Sequence, residues 1–209
     1  MMICPESYVE NELQGKTADK VLKKIRGLQR EISYIKNINE NGACDIICPS
    51  PQVQVDVLRD YVEAAKKYYV SLGGEYEPSV LEKKAAVFDS NIEHISSIVV
   101  TYGGYFDGAE RRTLTRDGDR IIVERLSSRK EEPKSPFYEG MGWKDLMEEL
   151  SNVHMGEWKS KYDNPNVLDG IQWSVDIKFD NGIKAKHYWG SNKFPYNFDR
   201  FLEIMEMET

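Results

Sequence analysis

The chain has 209 residues, which is enough for one domain of ordinary size or for a small domain beside a medium one. Hydrophobic residues make up 40 % and charged residues 30 %, a composition that excludes a disordered chain. The net charge of -7 excludes nucleic-acid binding through bulk charge. Apolar runs stay well short of the roughly 18 residues of a membrane span, and residues 1–16 lack the apolar core of a signal peptide. We therefore expect a cytoplasmic protein without a membrane partner.

Two amphipathic helices are predicted in the first third of the chain. Thr17 is suited to cap the first helix, and Asn41-Gly42 ends it. The second begins after Ser50, with Pro51 at its first position, and Gly73-Gly74 ends it. The short connection predicts a helical hairpin over residues 1–75.

The first of these helices carries an apolar seam, at spacings of four and three residues. The seam consists of Val21, Ile25, Leu28, Ile32 and Ile35. Because such a stripe cannot stay in water, it packs on the second helix, on the rest of the chain or on a second copy. The hairpin is therefore a candidate region for self-association, and a homodimer is one expected assembly.

Charge is unevenly distributed along the chain. Residues 16–40 carry seven Lys or Arg against three Asp or Glu, a local charge of +4 that leaves -11 on the remainder. The basic first helix can dock on an acidic surface or contact another molecule. Nucleic-acid contact through it is an alternative function that the overall charge disfavours.

Residues 76–209 change from helical to strand periodicity. After a short helix capped by Ser79, apolar residues alternate from Ile92, and Asp107-Gly108 and Asp117-Gly118 are hairpin turn signals. A two-residue turn at the second signal sets Leu114 opposite Ile121. These features predict a three-stranded meander.

A helix is expected from about Trp143 to Lys159, and then a strand with one buried face over residues 171–179. The following turn allows two registers: a two-residue turn sets Phe179 opposite Lys184, and a three-residue turn sets Val175 opposite His187. We favour the three-residue turn because it keeps every apolar side chain on one face. A last helix is expected over residues 197–207. The predicted fold is α+β, a helical hairpin followed by an antiparallel sheet of about five strands with helices packed on one face.

Candidate catalytic residues are few. His154 is expected on the apolar side of a helix and His187 on the apolar face of a strand, so that the two rings can approach each other. With Asp169 or Asp176 they form a possible acid–base set of a small hydrolase. The alternative is that each ring fills a gap in the core and donates one hydrogen bond. Neither a Walker sequence nor a Gly-x-Ser-x-Gly elbow is present.

Metal and cofactor sites are not predicted. The three cysteines, Cys4, Cys44 and Cys48, are too few for a disulfide framework. They also lack the paired Cys-x-x-Cys or His-x-x-x-His spacing of structural zinc sites. We expect reduced thiols, no metal and no cofactor.

The segment from 188 to 196 is richer in aromatic residues than a plain loop needs. Its candidate binding residues are Tyr188, Trp189, Asn192, Phe194 and Tyr196. They form either a ligand or partner surface or a packed connection between a strand and a helix.

The C-terminal third contains Asp-Gly-x-x-Trp at residues 169–173 and Gly-Ser-Asn-x-x-Pro-x-x-Phe at residues 190–198, preceded by Trp158 and Tyr162. This pattern resembles a family of uncharacterised cytoplasmic proteins of bacteria such as the Firmicutes, over about residues 95–205. The resemblance implies a bacterial cytoplasmic origin and one folded unit in this region. It implies no activity, so no catalytic role is transferred.

Taken together, the residues favour a non-catalytic protein-binding or regulatory module, with a protein or a second copy as its partner. The small hydrolase and the nucleic-acid contact are the alternative functions.

Overall fold

A computed structural model describes residues 3–42, 48–104, 108–127, 138, 140–167 and 169–207. The chain divides into two compact units, Met1–Pro78 and Ser79–Thr209. The sequence-based boundary, between residues 75 and 76, lies three residues before this division. Within the described ranges, no helix is both long enough and apolar enough to cross a membrane. The turn predicted at Asp107-Gly108 and the thiol of Cys44 involve residues outside these ranges.

The first unit is helical, as predicted for the N-terminus. Its elements are α1 (Pro5–Tyr8), a π-helical turn (Val9–Leu13), α2 (Ala18–Glu40) and α3 (Pro51–Ser71). Ser50 caps α3, because its hydroxyl accepts a hydrogen bond from the amide of Val53. Ahead of α1, the Tyr61 hydroxyl donates to the carbonyl of Ile3 at 2.8 Å and accepts from its amide at 2.9 Å. These bonds hold the N-terminal segment on α3.

The apolar seam of α2 is used within the first unit. Val21, Ile25, Leu28 and Ile32 are buried, while Ile35 is half-buried, and α2 packs against α3. The buried side chains of α3 are Val55, Tyr61, Val62, Ala65 and Tyr69. The seam therefore presents no exposed stripe to a second copy, and self-association through it would require the two helices to separate.

The second unit, in its described residues, combines one sheet with three helices. The helices are α4 (Val80–Asp89), α5 (Trp143–Ser151) and α6 (Phe198–Ile204), with short 3-10 turns at Ile92–His94 and Met155–Glu157. The strands are β1 (Ile95–Gly104), β2 (Gly108–Asp117), β3 (Arg120–Ser127), β4 (Lys161–Asp163), β5 (Ile171–Phe179) and β6 (Lys186–Ser191).

The sheet has six described strands in the order β3-β2-β1-β5-β6-β4 and is mixed. The α+β class is confirmed, but the prediction of a purely antiparallel sheet of about five strands is wrong. The extra strand, β4, has three residues with Tyr162 as its one inward side chain, too short to show an alternation. In the sheet, β6 lies between β4 and β5. It pairs antiparallel with β5 and parallel with β4, and the β4–β6 pair is what makes the sheet mixed.

The register between β5 and β6 differs from the preferred prediction. Val175 lies opposite Tyr188 and Asp176 opposite His187, which is the register of the two-residue turn. A one-residue slip exchanges the two faces of a strand, so Tyr188 and Gly190 point into the core where His187 and Trp189 were expected. Gly190 fixes this choice, because a Cβ there would lie 2.3 Å from the indole nitrogen of Trp173.

Two other local predictions are corrected. The β2–β3 turn lies at Gly118-Asp119, so Leu114 faces Val123, and this two-residue slip leaves the strand faces unchanged. The helix expected to reach residue 159 ends at Ser151, and His154 then adopts φ 54°. Histidine enters this left-handed region more readily than bulky or β-branched residues do, and no Gly or Pro marks the ending.

The core of the second unit lies between the helices and one face of the sheet, called here the inner face. Buried side chains of α4, α5 and α6 pack in one cluster with those of the strands. Arg112 is buried among them: it donates to Glu110 Oε1 at 2.5 Å and to the carbonyl of Met205 at 2.5 Å. Arg125, directly opposite Arg112, pairs with Glu206 at 3.2 Å. These carboxylates balance two facing guanidinium groups and hold the residues after α6 on the sheet.

A cavity at the centre of the seam should destabilise the first unit. Ile25 is fully buried, and truncating such a side chain costs about 2–5 kcal/mol. We expect Ile25→Ala to lower the amide hydrogen-exchange protection of α2 and α3 accordingly. The control Tyr34→Ala, at a side chain 66 % exposed, should change protection by no more than about 0.5 kcal/mol. Equal protection in the two variants would contradict the packing of the seam.

Alkaline pH should destabilise the second unit. Burial and the nearby Glu206 carboxylate raise the pKa of Tyr138 to about 12, and its hydroxyl donates to the carbonyl of Ile204. Since the folded state holds the neutral phenol, the contribution of Tyr138 to the free energy of unfolding should be constant below the unfolded pKa of about 10 and should fall as pH rises toward 12. Urea titrations at a series of pH values measure the slope of the free energy of unfolding against pH. Tyr138→Phe should reduce the slope, and burial of Tyr188, whose pKa is also raised, should account for part of the remainder.

Candidate functional site

The structure brings together one pair from the predicted acid–base set. His187 Nδ1 lies 2.7 Å from Asp176 Oδ1 across the β5–β6 ladder, on the outer face of the sheet. His154 lies next to Met155, whose carbonyl accepts a hydrogen bond from Tyr188 on the inner face. The turn that contains His154 thus lies on the inner side of the sheet, whereas the His187 ring lies on the outer side. Asp169 is exposed in the loop before β5.

The His187–Asp176 pair lacks the surroundings of a catalytic site. Its side chains are 56 % and 49 % exposed, so no wall excludes water from them. A nucleophile–base set also needs a third group within about 3 Å, and within the described ranges the His187 ring has no side-chain hydrogen bond apart from that to Asp176. The same part of the chain has no group of three His, Cys, Asp or Glu residues arranged to hold a metal ion. Cys4 and Cys48 are free thiols.

Most of the aromatic segment 188–196, which begins within β6, serves packing. Tyr188 and Tyr196 are buried, and Phe194 packs on the core beside Trp173. Asn192, at φ 53°, donates through its amide to the carbonyl of Val167. None of these four side chains is exposed, and their predicted role in binding remains a prediction.

Trp189 is the exception in that segment. It is 36 % exposed on the outer face, whereas Trp143, Trp158 and Trp173 are each exposed by 3 % or less. Lys161 Nζ lies 4.8 Å from the centre of its ring and 3.0 Å from Asp163. The position of Trp189 therefore combines an accessible indole with nearby charged groups.

A second candidate surface lies on α2, on the side opposite the seam. We call it the cationic face and define it as Lys23, Arg26 and Arg30, which are exposed and line a shallow groove together with Gln29 and Ser33. Across the described ranges, none of these three cations forms an ion pair. The local charge is evident from the sequence, and the spacings of three and four residues between these cations are the signal that places them on one side of the helix.

Other cations of the first unit have carboxylate partners. Lys24, on the flank of α2, lies 3.0 Å from Glu12, and this hydrogen bond and charge lower the pKa of the Glu12 carboxyl. On α3, Arg59 pairs with Asp56 and Lys66 with Glu63. The cationic face is thus the part of this unit where three cations without an ion pair share one side of a helix; among the described residues Lys20 and Lys67 also form no ion pair.

Comparisons with family models, with curated proteins and with solved structures found no match. The sequence resemblance of the C-terminal third therefore remains a prediction.

Buried and exposed polar pairs should differ sharply in their contribution to stability. Asn197 accepts from the indole of Trp158 at 2.9 Å and donates to the carbonyl of Val153, all within the core. Asn197→Ala leaves both groups unsatisfied and should lower the free energy of unfolding by about 2–4 kcal/mol. His187→Ala removes an exposed pair and should cost less than about 1 kcal/mol. Urea unfolding followed by tryptophan fluorescence compares the two, and similar losses would contradict this assignment.

Proposed function

We propose that this protein is a non-catalytic binding module of the bacterial cytoplasm that recognises an acidic segment of a partner protein through the cationic face of α2. One observation carries the proposal: Lys23, Arg26 and Arg30 are exposed side by side, and no carboxylate in the described ranges pairs with them. The cytoplasmic location is part of the proposal and is supported by the sequence resemblance over about residues 95–205.

The spacing of the three cations suits a short acidic segment. At 1.5 Å per residue, the seven-residue step from Lys23 to Arg30 spans about 10 Å of the helix axis. Carboxylates on successive turns of a partner helix, or on alternate residues of an extended segment, match this span. The two guanidinium groups can each form a bidentate pair with a carboxylate.

The surrounding charge favours an acidic protein segment over a nucleic acid. Residues 1–78 carry ten Lys or Arg against twelve Asp or Glu, so the unit as a whole is weakly acidic. A long polyanion would extend past the cationic face onto this acidic surface, since charges interact over a Debye length of about 8 Å. A segment with a few carboxylates contacts the cationic face alone. Because exposed ion pairs contribute at most about 1 kcal/mol each, binding should be weak and sensitive to salt.

The enzyme alternative has less support. His187 and Asp176 are paired on the outer side of the sheet, the turn that contains His154 lies on the inner side, and the pair is open to solvent. We do not propose a hydrolase.

Charge removal on the cationic face should weaken the binding of acidic probes. We would measure fluorescence anisotropy of a labelled hexaglutamate peptide with the full chain at low salt. The triple variant Lys23→Gln, Arg26→Gln, Arg30→Gln should bind at least about tenfold more weakly, since three charge-assisted contacts are lost. Raising the salt concentration should also weaken the binding of hexaglutamate by the unaltered chain.

The matched control removes the same charge from α3, with Arg59→Gln, Lys66→Gln and Lys67→Gln. These residues belong to the same unit, and two of them already pair with carboxylates. The control should bind about as well as the unaltered chain, within about twofold. Equal weakening of both triple variants, or absence of binding at low salt, would overturn the proposal. Tighter binding of a single-stranded oligonucleotide of equal charge would replace the partner with a nucleic acid.

A further inference from the structure

We propose a second binding site, on the outer face of the sheet, in which the ring of Trp189 and the carboxylate of Asp176 bind an arginine side chain of a partner protein. This site lies in the second unit and uses none of the residues of the cationic face. Its success or failure is therefore independent of the proposed function.

The strand pairing places small side chains beside Trp189 on the outer face. Its cross-strand neighbour on β5 is Ser174, and beyond it on β1 lies Thr101. Both side chains are much smaller than an indole, so the ring is accessible from the β5 side. The indole N–H has no hydrogen-bond partner in the described ranges, whereas those of Trp158 and Trp173 donate to Asn197 and Lys193.

The protein's own Lys161 shows what this position accepts. Its ammonium group lies 4.8 Å from the centre of the Trp189 ring and 3.0 Å from Asp163 Oδ2. A cation over an indole face beside a carboxylate is a stabilising arrangement. One side of the ring is thus already occupied by a cation with its counter-charge.

On the β5 side of Trp189 there is again a carboxylate, that of Asp176, but no second cation lies over the ring among the described residues. Asp176 lies opposite His187, and His187 stands two residues before Trp189 on β6. Asp176 is therefore a diagonal neighbour of Trp189, at about 7–8 Å. One Asp176 oxygen contacts His187, and the other has no partner in the described ranges. Lys178 also stands on this face, on the far side of Asp176 from Trp189, and forms no ion pair with it there. A cation between the ring and Asp176 would complete the pattern.

The geometry favours a guanidinium over an ammonium group. A planar guanidinium stacks on an indole while its edge donates to a carboxylate, and it retains further donors for neighbouring acceptors. Ser174 and Gln172, on the same face of β5, offer a hydroxyl and an amide oxygen within the same short stretch. An ammonium group is more strongly hydrated and makes no planar stack.

The test follows the four tryptophan indole N–H resonances of the nitrogen-15-labelled full chain by NMR. The probe is the capped tripeptide Gly-Arg-Gly, and the control is Gly-citrulline-Gly, which has the same shape without the charge. The Trp189 resonance is identified by its loss in Trp189→Phe. At millimolar peptide the arginine probe should shift this resonance to saturation, and the citrulline probe should not.

Two variants separate the site from general attraction to an acidic protein. Asp176→Asn should weaken binding about fivefold or more, while Glu124→Gln, on the same face at β3, should leave it unchanged. His187→Ala frees the second Asp176 oxygen and should bind at least as well. Unshifted resonances of the buried Trp158 and Trp173 verify that each variant is folded.

The capped tripeptide Gly-Lys-Gly is a further probe, and it should bind more weakly than Gly-Arg-Gly. The proposal is overturned by any of four results: no shift of the Trp189 resonance, equal shifts with the citrulline peptide, equal affinity for the lysine peptide, or equal affinity of the Asp176→Asn and Glu124→Gln variants.

Discussion

The buried indole of Trp158 is the contact on which the second unit depends. Its ring meets those of Trp173, Tyr188, Phe198 and Phe201, with centroid distances between 5.3 and 6.2 Å. An indole N–H inside a core requires an acceptor, and Asn197 supplies it from the residue just before α6. This one hydrogen bond therefore joins the turn after α5 to the start of α6. The ring contacts with Trp173 and Tyr188 pack β5 and β6 against the same indole.

The orientation of that core decides which chemistry is exposed. Since side chains alternate along a strand, placing Trp173 and Tyr188 inward forces Asp176, His187 and Trp189 outward. The outer face thus obtains an indole, a carboxylate and an imidazole as a consequence of packing on the other side. This explains how a chain without an enclosed active site in its described residues still presents groups able to contact a partner.

The first unit follows the same logic with helical periodicity. Burying Val21, Ile25 and Leu28 against α3 turns the opposite side of α2, with Lys23, Arg26 and Arg30, to solvent. Because the seam is buried against α3, the exposed side of α2 is the charged one. The two exposed surfaces differ in chemistry, since one is cationic and the other combines an aromatic ring with an acid, and both would serve the binding module proposed above.

The sequence by itself determined the elements whose signals are local. Thr17 stands just before α2, although its side chain makes no capping hydrogen bond, and Ser50 caps α3. Glycines follow both helices, and the alternation over residues 171–179 identifies β5, because neighbouring residues alone set these signals. The tertiary structure alone decided the β5–β6 register, since the turn allowed two and the close approach of Trp173 to Gly190 selects one. It also decided β4, which is too short for a period, and the burial of Arg112, which depends on Glu110 and a carbonyl ninety-three positions away in the chain. Because a one-residue slip exchanges strand faces, the same choice moved His187 and Trp189 from the expected core to the outer face, where the candidate site lies.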